Sequence, residues 1–294
     1  MNINIGFHWR LTDESFARLE KDFQFLSSKG LDRCSCGIRI PDFYKKPEQY
    51  NHFLEVLKST GITLQVLSAS LGTPTVYDLV DGPRTVGFVP AEHRERRYKI
   101  LDECAEFASK IGVKKIVTHF GFIPEFQDDP NYPGVVAAAQ KVSEICAAHG
   151  LVFMFETGEE TPTTLLRLLE DANRPNLAVN LDMGNLVMYG KGEPCGAIDV
   201  LGDRIVCSDA KDGFYPSGGR ILGKEVVVGQ GEVRFKEVVR KFIEIGYSGS
   251  IMIEREASTI EKRIEGILTG KKILEGLIEQ EIVKRKPLDT ESSL

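Results

Sequence analysis

No hydrophobic run in the 294 residues approaches the length of a membrane-spanning helix. The stretch from Met1 to Ile5 is short and alternating, without the cationic start and apolar core of a secretory leader, so a cytoplasmic protein with no membrane partner is expected. Positive charge is not in excess. The formal net charge of -6 leaves no global basic field for a phosphate backbone, which disfavours nucleic acid and makes a small molecule the default partner. The six cysteines (Cys34, Cys36, Cys104, Cys146, Cys195 and Cys207) form no paired CxxC motif, and a chain of this size needs no disulfide staples. They read as reduced core thiols, with Cys34 and Cys36 on one face of a strand. No glycine-rich phosphate fingerprint follows any strand-like run, which argues against a doubly wound nucleotide-binding sheet.

What is present is ordinary globular material, 42% hydrophobic and 27% charged, arranged in a regular alternation. Strand-like runs at 2–7, 34–40, 62–69, 115–120, 151–156, 177–183, 204–209 and 250–255 alternate with amphipathic segments at 13–28, 47–60, 92–111, 134–150 and 231–246. Gly30, Gly61, Gly112, Gly150 and Gly246 stand where helices stop, and Thr161-Pro162 supplies a cap and a first-turn proline. Eight βα units over this length predict an α/β fold, a (β/α)8 TIM barrel, as a single domain over residues 1–280. Residues 281–294 read as a charged, flexible tail. Three stretches exceed minimal loops: 72–90, 121–133 and the glycine-rich 212–231, the last suited to a small hairpin lid.

Four of the apolar runs end on a carboxylate: Glu156, Asp182, Asp209 and Glu254. In a (β/α)8 barrel every strand points its carboxyl end at one rim, so these groups, from strands five to eight, converge on one cavity. Packed together they repel and take up protons unless a cation neutralises them, and all-oxygen ligation favours Mg²⁺ or Mn²⁺, with Co²⁺, Ni²⁺ or Zn²⁺ admissible beside a histidine. Plainer readings stay open: Asp182 and Asp209 as caps, Glu254 in an ion-pair group with Arg255 and Glu256. His119 ends the fourth strand as a core or substrate-contact residue more readily than a metal ligand. His8 and Trp9 are placed at the end of the first strand, where the indole forms either a wall for a sugar ring or core packing.

The segments THFGFIP (118–124), FETG (155–158), NLDMGN (180–185), DAKDG (209–213), VGQGEV (228–233) and IERE (253–256) resemble the sugar phosphate isomerase/epimerase group of the xylose isomerase-like TIM barrels, the AP endonuclease family 2 type. The likeness spans residues 2–280. It implies a divalent metal held by Glu156, Asp182, position 209 and Glu254, with Glu156 and Glu254 also exchanging a proton through an enediolate. The implied activity is isomerisation or epimerisation of a keto sugar, sugar phosphate or related polyol. An inosose-type dehydratase or a non-catalytic sugar-binding barrel is the alternative, and an endonuclease IV-like nuclease is disfavoured by the scarcity of histidine. Asn185 stands where related ketose 3-epimerases carry a histidine, Lys211 either pairs with Asp212 or steadies a substrate oxygen, and Arg255 is a candidate anchor for an anionic group. The departure is Asp209, where the family has histidine. The sequence leaves a homo-oligomer open.

Overall fold

The computed structural model describes residues 3–285. Eight parallel strands close into a barrel: β1 (Asn4–Leu11), β2 (Arg33–Ile38), β3 (Thr63–Ser68), β4 (Lys115–His119), β5 (Val152–Glu156), β6 (Leu177–Asp182) and β7 (Ile205–Ala210), then, after a short antiparallel pair formed by β8 (Asp212–Gly213) and β9 (Glu225–Val226), the closing strand β10 (Ser250–Ile253). Around the ring the order is β1-β10-β7-β6-β5-β4-β3-β2. The chain is therefore an α/β protein with a (β/α)8 TIM barrel. Among the described residues no helix is long and apolar enough to cross a membrane.

Side chains along a strand alternate between faces, and that alternation divides the apolar residues into two cores. Val66, Val117, Met154, Ala178, Cys207 and Met252 point inward and plug the barrel. Gly6 leaves room for that plug, since a Cβ there would stand 2.5 Å from the Met252 sulfur. The opposite phase packs against the surrounding helices and makes the larger core. All six cysteines are free and buried, with Cys34 and Cys36 in the outer core.

Local signals place most of the helices. The helix Pro47–Thr60 begins on its proline and stops at Gly61, whose φ of 68° is the left-handed conformation that glycine adopts without a Cβ penalty. Thr161 caps Pro162–Ala172 by accepting from the Thr164 N–H. The segment expected at 13–28 is broken into Asp13–Phe16 and Leu19–Ser28, because Ala17 and Arg18 end one turn before the other begins. The final helix, Ile260–Arg285, takes in residues 281–285 of the expected tail, and 286–294 lie outside the described residues.

Strand one also runs further than expected, to Leu11. His8 and Trp9 are consecutive mid-strand residues on opposite faces. Trp9 is fully buried in the outer core, edge-on to Phe7 and Phe23 with the Arg263 guanidinium over its ring, so it does not line the cavity at the rim. It packs the core and offers no wall to a sugar.

Candidate metal centre

The inward phase, followed toward the carboxyl rim, turns polar on every strand of one half of the barrel. Val152 and Met154 lead to Glu156, Ala178 and Asn180 to Asp182, Cys207 to Asp209 and Lys211, and Ser250 and Met252 to Glu254. Strand pairing sets Asp182 beside Asp209 and His119 beside Glu156. One oxygen from each of Glu156, Asp182, Asp209 and Glu254 lies within 4.8 Å of the others, and all four residues are buried. Glu156, Asp209 and Glu254 line a cavity of about 410 Å³, together with His8, Arg10, Tyr77, His119, Asn185 and Lys211, and Asp182 lies buried behind them. That volume is within the usual range for small-molecule sites.

Each carboxylate has a distinct set of partners. Glu156 lies 3.1 Å from His119 Nε2 and accepts from Asn185 Nδ2 at 3.4 Å. Glu254 lies 3.1 Å from Lys211 Nζ, which also lies 3.5 Å from Glu256 and 3.7 Å from Asp182. Asp182 is a cap as well as a rim carboxylate: its Oδ1 accepts from the Asn185 N–H and opens the helix Met183–Met188. Asp209 accepts from Asn180 Nδ2 at 2.5 Å. The surface ion-pair group offered for Glu254 does not form, because Arg255 turns away to Glu225 at 2.6 Å while Glu254 is buried. Nor does Lys211 pair with Asp212. Neighbours in an extended chain face opposite ways, and Asp212 instead accepts four backbone N–H groups, from Gly213, Gly229, Gly231 and Val233, at 2.9 to 3.1 Å. That clamp closes the 212–231 excursion into the small hairpin β8-β9, which carries Leu222, Gly223 and Glu225 to the cavity.

The partners sort the four carboxyls into two protonation classes. Burial works to raise Glu156, but the His119 imidazole, by charge and hydrogen bond, holds it below the ordinary carboxyl value. Burial opposes ionisation of Glu254 too, and Lys211, then His8, hold it far below that value. Burial lifts Asp182 well above the carboxyl range against the pull of Lys211, and Glu254 and Glu156 add to the lift. Asp209 is lifted by burial and by Glu254, Asp182 and Glu156 together. The surroundings therefore favour the ionised form of Glu156 and Glu254 and disfavour it for Asp182 and Asp209. The Oδ2 atom of Asp182 is buried and has no hydrogen-bond partner, which is the position a cation would satisfy. The four residues fit a divalent ion, and an all-oxygen donor set suits Mg²⁺ or Mn²⁺.

Several residues of the site gave no signal as site residues in the sequence. His119 Nδ1 lies 2.8 Å from Glu159, which is 1% exposed, and the imidazole therefore bridges two carboxylates. Burial works against its charge, but Glu156 and Glu159 hold it cationic well above the ordinary histidine value. Glu160 beside it is buried with both oxygens unpartnered, and burial and Glu159 raise its carboxyl well above the usual range. His8 donates to or accepts from Ser35 at 2.9 Å, and Arg10 pairs with Glu256 at 2.6 Å. Of the three long loops, 72–90 reaches the cavity through Tyr77 and 212–231 through its hairpin, while 121–133 contributes no lining residue.

Residues 29–277 match the family of xylose isomerase-like TIM barrels. The chain belongs to that family. It is 27% identical over 219 residues to the uncharacterized protein MJ1311 of Methanocaldococcus jannaschii, covering 69% of this chain and 70% of that one. Among solved structures, a xylose isomerase domain protein from Planctomyces limnophilus superposes with a TM-score of 0.85 at 27% identity, over 96% of this chain and all (100%) of that one. A D-tagatose 3-epimerase-like protein matches with a TM-score of 0.74 at 19% identity over 96% and 100% of the two chains. An L-ribulose 3-epimerase, a probable 3-DHS dehydratase from Bacillus anthracis and a barrel from Mycobacterium smegmatis in complex with magnesium share the fold at 15% to 16% identity, with TM-scores of 0.68 to 0.73. Likeness at those identities is likeness of fold.

Proposed function

We propose that this protein is a divalent-metal-dependent isomerase or epimerase of a keto sugar, sugar phosphate or related polyol. The observation that carries the reading is the convergence of Glu156, Asp182, Asp209 and Glu254 in one cluster, three of which (Glu156, Asp209 and Glu254) line one cavity. The sugar epimerases among the structural neighbours agree with it, as does the magnesium bound to the Mycobacterium smegmatis barrel. A bound divalent ion supplies Lewis-acid polarisation of the substrate carbonyl, which lowers the cost of removing the proton on the adjacent carbon. The chain supplies the proton transfer. Glu156 and Glu254 are the two carboxylates of the cradle held ionised, each ready to accept a proton at a carboxylate oxygen. One takes the proton from one face of the substrate and the other delivers a proton to the opposite face; exchange with solvent between turnovers removes the proton from the first and restores one to the second. His119, fixed by Glu159, keeps Glu156 aimed and ionised, and Lys211 does the same for Glu254.

A dehydratase is the second reading, favoured by one feature. Expulsion of a β-hydroxyl needs an acid beside the leaving oxygen, and His119, held cationic between Glu156 and Glu159, stands in the cavity wall. An epimerase conserves substrate mass and a dehydratase loses water, so product mass separates the two. The test of proton transfer is exchange of solvent deuterium into candidate ketoses by metal-loaded protein. Glu156→Gln is expected to lower that exchange by roughly 10²–10⁴-fold, the usual weight of a general base. Exchange and metal content both untouched by this substitution would remove Glu156 from the mechanism.

A further inference from the structure

Outside the cradle, the rim presents a different chemistry. Five cationic or potentially cationic side chains line the main cavity: His8, Arg10, Arg39, His119 and Lys211. Four have partners inside the protein. Lys211 serves Glu254, Glu256 and Asp182, Arg10 serves Glu256, His119 lies between Glu156 and Glu159, and His8 bonds Ser35. Arg39 is the exception: among the described residues no carboxylate lies within ion-pair distance of its guanidinium, although the cavity it lines is rich in acids.

Arg39 directly follows β2, which stands across the ring from β6 and its Asp182. It also lines a second, adjoining cavity of about 170 Å³, and no Asp or Glu is among the residues lining that one. The second cavity has two basic residues, Arg39 and His119, and the hydroxyls of Ser70, Thr73, Tyr77 and Thr118, while that of Thr75 donates to the Gly72 carbonyl at 2.7 Å. Its outer wall is the 72–90 loop, and that wall is built. The fully buried Arg97 donates to the carbonyls of Pro74, Thr85 and Gly87, and Arg94 donates to those of Phe88 and Val89 at 2.7 Å.

We propose that this acid-free cavity is an anion subsite in which Arg39 and the surrounding hydroxyls hold a phosphate or carboxylate at the far end of the substrate, making the protein selective for anionic keto sugars. The proposal rests on the isomerase reading for the identity of the substrate and on the two cavities for the subsite. A molecule reacting at the carboxylate cradle reaches across the barrel mouth toward β2, and the group it presents there meets positive charge and hydroxyl donors. Arg255, the anionic anchor suggested by the sequence, is engaged by Glu225 and lines neither cavity. A planar guanidinium binds either anion bidentately, whereas lysine offers a point charge.

Two measurements on the intact protein test the proposal. In the first, metal-loaded wild type, Arg39→Ala and Arg39→Lys are assayed for solvent deuterium exchange into neutral ketohexoses, their 6-phosphates and keto-uronates. The wild type is expected to favour one anionic series over the neutral one. The preference, read as a ratio of kcat/KM values, is expected to fall by about 10- to 100-fold in Arg39→Ala through KM, the weight of a charge-assisted hydrogen bond or two. Arg39→Lys retains part of it. Whether the 6-phosphates or the uronates show the effect identifies the anion. In the second, EDTA-treated protein is titrated calorimetrically with inorganic phosphate, and Arg39→Ala is expected to bind it at least about tenfold more weakly than wild type. Phosphate binding that depends on Arg39 in a protein that exchanges no ketose proton would uphold the subsite and remove the isomerase reading. Equal exchange into neutral and anionic ketoses, with a ratio indifferent to Arg39, would overturn the subsite and leave the isomerase reading in place.

Discussion

The two halves of the barrel mouth are built on the same strand geometry and carry opposite charge. On β5, β6, β7 and β10 the inward positions nearest the rim are Glu156, Asp182, Asp209 and Glu254, where burial and then mutual repulsion raise the carboxyls of Asp182 and Asp209. On β1, β2 and β4 the same level and the loops just above it carry His8, Arg39 and His119. In the acidic half burial sets the carboxyls against ionisation, and Lys211 together with His119 and His8 from across the mouth offsets it at Glu254 and Glu156. The other half leaves an arginine unanswered, which suits recognition. The difference teaches that chemistry and selection can be separated by strand in this fold, and it can be tested by disturbing one side at a time.

The largest structural effect is expected on the acidic side, at Asp212. Its carboxylate accepts four backbone N–H groups and ties the β8-β9 hairpin to the rim. Asp212→Ala strands those donors and is expected to cost about 3 kcal/mol in urea-induced unfolding. A loss below about 1 kcal/mol would mean that the hairpin is held by something else. On the other side, Arg97→Met removes the donors that pin the 72–90 loop while keeping an apolar stem in place. An expected loss of about 2 kcal/mol, with proteolytic nicking now concentrated in 72–90, would separate this loop from the hairpin, whereas nicking at 212–231 would contradict the division. A smaller change sharpens the acidic half. Asp209→His introduces the imidazole that the sequence resemblance implies at this position and removes one carboxylate, so the preference for Zn²⁺ or Co²⁺ over Mg²⁺ in competition binding should rise by about tenfold or more. An unchanged preference would show that Asp209 does not touch the ion.

How much of this was legible in the sequence follows from which signals are local. The eight strands and the four strand-end carboxylates were readable because a strand buried on both faces is an apolar run, and a charge at its end is conspicuous. Trp9 stays open between a sugar wall and core packing when the first strand is ended at residue 7, and the structure settles it as core. With β1 continuing to Leu11, Phe7, Trp9 and Leu11 share the outward face, and His8 takes the inward one. The same alternation, applied past the end of β7, sends Lys211 with Asp209 toward Glu254 and turns Asp212 the other way, although adjacency had suggested a pair. Glu159 and Glu160 were beyond reach. They follow β5 in what reads as an acidic, solvated turn, and only the packing of that turn beneath Tyr189 and His119 buries them. Arg39 likewise looks like any arginine at a strand end until the carboxylates around it are seen to be taken by others.

Titration of EDTA-treated protein with Mn²⁺, across pH and in buffers of different ionisation heat, tests the central claim most directly. Burial raises the carboxyls of Asp182 and Asp209 above their ordinary value, so an entering cation competes with protons for them. The account predicts one ion bound per chain, protons released on binding, and affinity that strengthens as pH rises above the ordinary carboxyl range, with binding lost in Asp182→Asn. Binding without proton release, or binding indifferent to Asp182→Asn, would place the ion elsewhere, and no binding at all would contradict the metal centre itself.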